Sequence, residues 1–112
     1  MLEEKIKSSI SFYSRVSNNY IIYDNIKLFR SNTRPLTVID YMILQKESII
    51  LIKRYYGAGN KESIKRQRDK KTDSLKKARN NLIKNLKSEL NGRKIYGFLY
   101  NVSREEGEIV YF

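Results

Sequence analysis

Hydrophobic positions in the opening segment recur at three- and four-residue steps, through Leu2, Ile6, Ile10, Tyr13 and Val16. That spacing predicts an amphipathic helix, which Ser17-Asn18-Asn19 ends. Over residues 20–30 the period drops to two. A first strand is expected there, with Ile22, Ile26 and Leu28 on one face and Asp24 out of pattern. Residues 31–35 read as a turn around the only proline of the chain, Pro35. Two further strands, 36–45 and 48–56, are joined by a tight polar turn at Lys46-Glu47. Both are apolar on both faces, the pattern of central strands covered on two sides. Gly57-Ala58-Gly59 breaks this pattern. Asn60 as N-cap, Glu62 in the first turn and Asn91-Gly92 as a stop then bracket one long helix. Its stripe runs through Ile64, Leu75, Ala78, Leu82, Leu86 and Leu90, thin before Leu75 and continuous after it. Segments 93–102 and 108–112 complete the chain as two strands around a hairpin at 103–107. The predicted order is helix, three strands, helix, two strands. This is an α/β chain with a central mixed sheet of about five strands flanked by helices, in one domain spanning 1–112.

Charge changes the picture more than length does. The formal net charge is +11, and residues 61–94 hold thirteen of the twenty-three lysines and arginines against four acids, a local net of +9. A helix that basic, with its apolar stripe turned to the core, presents a positive ridge to a polyanion, and nucleic acid is the first candidate. The contacts expected are Lys65, Arg66, Gln67, Arg68, Lys70, Lys71, Lys76, Lys77 and Arg79. No zinc-finger spacing or RNA-recognition aromatic pattern is present, so base-specific reading is not expected. Tyr55, Tyr56, Tyr96, Phe98 and Tyr100 offer rings for stacking, but aromatic residues in strands more often belong to the core. The chain has neither cysteine nor histidine, which excludes disulfides, thiolate sites and imidazole chemistry. No window has the length and apolarity of a membrane span, and the N-terminal segment does not resemble a signal peptide, so a cytoplasmic protein without membrane association is expected.

Two charged residues stand in otherwise buried strands. The even positions Leu36, Val38, Asp40, Met42 and Leu44 put a lone carboxylate in an apolar face, and Lys53 ends the run Ile49-Ile50-Leu51-Ile52. A buried carboxylate is costly unless it is paired, hydrogen-bonded or metal-bound. If the two runs pair as neighbours, both charges meet at one end of the sheet.

The string Thr37-Val38-Ile39-Asp40-Tyr41-Met42-Ile43-Leu44, followed after a turn by Ile49-Ile50-Leu51-Ile52-Lys53-Arg54-Tyr55-Tyr56-Gly57, resembles the core of the PD-(D/E)XK nuclease superfamily. It is most similar to nuclease-related (NERD) domains and more distantly to archaeal Holliday junction resolvases. The resemblance implies a restriction-endonuclease-like fold of order α-β-β-β-α-β-β. It gives Asp40 the part of the metal-binding aspartate and Lys53 that of the catalytic lysine. Glu3 or Glu4 matches the glutamate of the opening helix, Glu4 being the further metal ligand, and Gln67 matches the glutamine of the later helix. The cation implied is magnesium or manganese, with the backbone carbonyl of Ile52 as an additional ligand. Leu51 departs from the pattern, because the family carries its second acid there and leucine coordinates nothing. Glu47 is no substitute, since six residues of strand put it about 20 Å from Lys53. Two readings follow: a metal-dependent DNA nuclease, and a catalytically silent relative that binds nucleic acid or a protein partner. The resemblance also allows a homodimer, built on an edge strand at 108–112.

Overall fold

The computed structural model describes residues 21–29 and 35–112. The expected opening helix, with Glu3 and Glu4, and most of the turn at 31–35 lie outside the described residues. The described elements run β1 (Ile21–Phe29), β2 (Pro35–Leu44), β3 (Ser48–Tyr55), α1 (Lys61–Asn85), α2 (Lys87–Leu90), β4 (Lys94–Asn101) and β5 (Glu106–Val110). The strands form one mixed sheet in sequence order, β1-β2-β3-β4-β5. All neighbours are antiparallel except β3 and β4, which are parallel from Ser48–Lys94 to Tyr55–Asn101. A parallel neighbour needs a crossover, and α1 with α2 supplies it.

β3 is buried on both faces, as its sequence predicts. Ile49, Leu51 and Tyr55 join Leu75, Ala78 and Leu82 of α1 in one apolar cluster, while Ile50 and Ile52 join Ile43, Phe98 and Tyr100 in a second. Tyr55, Phe98 and Tyr100 are therefore core residues, whereas Tyr56 is exposed. α1 begins where expected. The Asn60 side chain accepts a hydrogen bond from the Ser63 N–H at 2.8 Å, and Asn91 and Gly92 take positive φ values of 52° and 75° at the far stop.

The expectation of one unbroken helix is corrected at Leu86, which leaves helical geometry at φ −127°, ψ 30° and separates α1 from α2. A straight helix would carry Leu86 over the core between Leu82 and Leu90. The break instead leaves Leu86 41% exposed and still buries Leu90. Ile64, in the thin first half of the stripe, is partly buried against the cluster under α1.

The loop between β3 and α1 is fastened by Asn101 at the end of β4. Its Oδ1 accepts from the Gly57 N–H at 3.1 Å and from the Arg104 N–H at 3.3 Å, and its Nδ2 donates to the Gly57 carbonyl at 3.4 Å. A β-carbon on Gly57 would collide with that amide, so the approach requires glycine. Asn101→Ala leaves these buried backbone groups without a partner. Its urea unfolding midpoint is expected to fall by the equivalent of about 1–3 kcal/mol, and an unchanged midpoint would show that the clasp carries no load.

Candidate functional site

The β2–β3 ladder runs from Leu44–Ile49 to Tyr41–Ile52 and stops there. Beyond that point β2 stays paired with β1 down to Pro35, and β3 stays paired with β4 up to Tyr55. The sheet therefore parts between β2 and β3, at Asp40 and Lys53. Backbone groups at such a parting need partners from elsewhere. The Arg54 N–H donates to Asp40 Oδ2 at 2.7 Å, and Lys53 Nζ donates to the Val38 carbonyl. Arg54 Nε lies 3.9 Å from Asp40 Oδ1. One carboxylate and one ammonium thus stand in for ladder hydrogen bonds of opposite polarity.

The expected single face through the even positions of β2 is corrected by the same feature. Met42 and Leu44 pack into the cluster under α1, as do Ile39 and, from β1, Ile26 and Leu28; Tyr41, Ile43 and Ile22 pack into the other cluster. Thr37, next but one to Ile39, is hydrogen-bonded to Ser74 of α1 through their hydroxyls. The alternation therefore changes phase at Asp40, and in β1 at Asn25, between the pairs Asp24–Tyr41 and Ile26–Ile39, where Asn25 has a positive φ of 48°. Asn adopts that left-handed conformation more readily than most residues. Ile22 does not share a cluster with Ile26 and Leu28 for this reason. Asp40 interrupts the pattern because its carboxylate reaches sideways to a backbone N–H of β3.

Lys53 is 7% exposed. Burial pushes its ammonium below the usual 10.5; nearby Asp40 opposes that shift and Lys71 of α1 adds to it. Leu51, two residues before Lys53 on β3, is fully buried in the cluster under α1. Ile52 is fully buried and lies in the ladder between Tyr41 and Phe98, which makes its carbonyl a sheet group. Glu47 is exposed at the opposite end of β3. Among the described residues no three acidic side chains gather as a metal-binding group. A magnesium site is built from oxygen ligands in near-octahedral geometry. The described donors, one carboxylate already accepting from Arg54, do not fit that cation, and Glu4 lies outside the described residues.

The basic residues occupy several sides of α1. Lys65, Arg66, Arg68, Lys70, Lys76 and Lys77 are exposed, while Gln67, Lys71 and Arg79 are half-buried. The Gln67 amide meets Ser63 of its own helix at 3.5 Å. On the side toward β5, Arg68 Nε lies 3.9 Å from Glu108 Oε1, and the Arg79 guanidinium stands 5.4 Å from the centre of the Phe112 ring. Phe112 and its neighbour Tyr111 are both exposed. The sequence pattern, which extends the last strand to 112, does not single them out, because they lie beyond β5, whose ladder ends at Val110. No helix among the described residues is long and apolar enough to cross a membrane.

Compared with known proteins, the chain matches no family model, no curated protein and no solved structure.

The lowered ionisation of Lys53 has a pH consequence with a definite sign. Between its folded value and 10.5 the unfolded chain binds the extra proton, so stability gains a rising contribution with pH across that window. Tyr55, whose phenol burial pushes above 10.0, contributes stability that is lost as pH rises through its folded value, the opposite sense. The difference in unfolding free energy between wild type and Lys53→Met isolates the lysine. That difference should shift in favour of wild type as pH is raised toward 10.5, measured by urea denaturation. A difference constant with pH would mean that Lys53 is not desolvated.

Proposed function

We propose that this chain binds nucleic acid, DNA first among the candidates, through the basic face of α1. In this reading it does so on a restriction-endonuclease-like fold whose Asp40–Lys53 pair serves the sheet rather than hydrolysis. The observation that carries the binding is the concentration of charge: a local net of +9 in residues 61–94, with Lys65, Arg66, Lys70, Lys76 and Lys77 exposed on a helix anchored by Leu75, Ala78 and Leu82. Two features support the fold assignment. Three antiparallel strands lead through a helical crossover to a parallel fourth, and the two charged residues of the motif meet where β2 and β3 part. The silent reading is favoured because Asp40 and Lys53 already satisfy backbone groups and position 51 is core.

The nuclease reading keeps one observation in its favour. Asp40 and Lys53 share one end of the sheet, and burial makes the lysine easier to deprotonate, as a base at a phosphodiester would need. A panel of single-stranded, duplex and branched DNA and RNA in magnesium or manganese separates the two. No cutting by the wild type is expected; cutting that disappears in both Asp40→Ala and Lys53→Ala would establish the nuclease instead.

For binding itself, anisotropy of labelled DNA across a salt series is the direct test. The logarithm of affinity should fall with the logarithm of salt at about 0.9 per phosphate contacted, or about 0.7 on a single strand. Lys76→Glu combined with Lys77→Glu should weaken binding by about tenfold or more and flatten the slope. Affinity indifferent to salt would overturn the proposal.

A further inference from the structure

A groove of about 360 Å³ lies between the C-terminal half of α1 and the edge of the sheet formed by β4 and β5. It is lined by Arg79 and Ile83 of α1, by Arg93 and Lys94 before and at the start of β4, and by Tyr111 and Phe112. Its lining residues include three cations and no acid. A second groove of about 460 Å³ adjoins it through Arg93, Lys94 and Tyr96, and continues toward Lys46 and Glu47 at the β2–β3 turn. Each volume falls in the range of small-molecule sites, roughly 300–1,000 Å³. The two together make a track of cations that leaves the α1 ridge at Arg79 and rounds the end of the sheet.

The aromatic residues set this track apart from a plain basic surface. The Phe112 ring packs over Gly97, where an added β-carbon would approach its Cζ to 2.9 Å, and carries Arg79 on its face. Tyr111 is 73% exposed and Phe112 39% exposed. Cations beside an open ring, here Tyr111, are the composition of a stacking platform, in which cations follow the backbone and rings receive bases. A duplex keeps its bases stacked on each other and offers such a groove only phosphates. An unpaired strand offers both phosphate and ring faces.

We propose that this groove binds unpaired nucleotides, with Tyr111 as the stacking surface and Arg79 and Lys94 as phosphate contacts, so that the chain prefers single-stranded to duplex nucleic acid. The proposal rests on the nucleic-acid reading above and gives it a substrate class. The first groove, lined by three cations and no acid, argues for a polyanionic occupant over a second copy of this basic chain.

The test compares a thymidine oligomer with a duplex of equal length, at one salt concentration, on wild type, Tyr111→Ala and Tyr111→Phe. Tyr111 is open to solvent, so its removal leaves the core intact. The single strand should bind wild type about tenfold or more tightly than the duplex, and Tyr111→Ala should lose about tenfold of single-strand affinity, the scale of one base stack. Duplex affinity should be unchanged in that variant, and Tyr111→Phe should keep the preference. In Tyr111→Trp the indole fluorescence should be quenched by the oligomer. Duplex binding with normal salt dependence and no single-strand preference would overturn this proposal alone and leave the groove to a peptide or a second copy. Binding of neither would overturn the nucleic-acid reading and this one with it.

Discussion

Where β2 leaves β3, each strand is left with a backbone group that the ladder would have paired, and the rest of the sheet depends on how these are satisfied. The Arg54 N–H needs an acceptor and the Val38 carbonyl needs a donor. An unsatisfied buried backbone group costs about 1–3 kcal/mol, enough to matter in a chain of this length. Asp40 and Lys53 meet the two needs with the two side-chain charges suited to them. The parting lets β1 and the first part of β2 turn together, with the phase change at Asn25 and Asp40, and so brings Ile26, Leu28 and Ile39 into the cluster under α1. Without it those residues would lie on the other face. One local event thereby fixes which apolar side chains the helix covers.

The same geometry bears on what the constellation does chemically. A carboxylate held by an N–H and a guanidinium has less to offer a cation than one facing an open cleft. An acid at position 51 would have to sit in the cluster where Leu51 packs beside Ile49, Leu75 and Leu99. Leucine there adds buried apolar area and so stabilises the sheet. The hydrogen bonds of Asp40 and Lys53 account for two charged side chains standing in otherwise apolar strands.

Much of this architecture was legible in the sequence. The apolar runs of β2 and β3 predicted strands buried on two faces, and Asn60 and Asn91-Gly92 marked the helical segment, because capping and left-handed stops are local chemistry written in single residues. What the sequence hid was cooperative. The phase change in β2 needs Asn25 of β1 and the end of the β3 ladder together, and no window within one strand contains all three. Leu86 fits the helical stripe by spacing, and the break appears only in its backbone, which leaves Leu86 exposed while Leu90 is buried. The meeting of Asp40 and Lys53 was anticipated; the backbone groups they satisfy were invisible because they depend on where pairing stops.

Charge and fold are coupled on α1. Leu75 and Ala78 are buried while their neighbours Lys76 and Lys77 are exposed, so the helix cannot shed its cations without turning its apolar stripe away from the sheet. The mutual repulsion of those cations is a cost to the folded helix, eased by salt within a Debye length of about 10 Å at 0.1 M. Arg68 with Glu108 and Arg79 with Phe112 offset a little of it, since exposed pairs of this kind contribute at most about 1 kcal/mol each. A polyanion along the ridge would ease it more completely and, binding only the folded form, would add to stability by mass action. Lys71 transmits part of this inward, because its charge is one reason that the Lys53 ammonium is disfavoured.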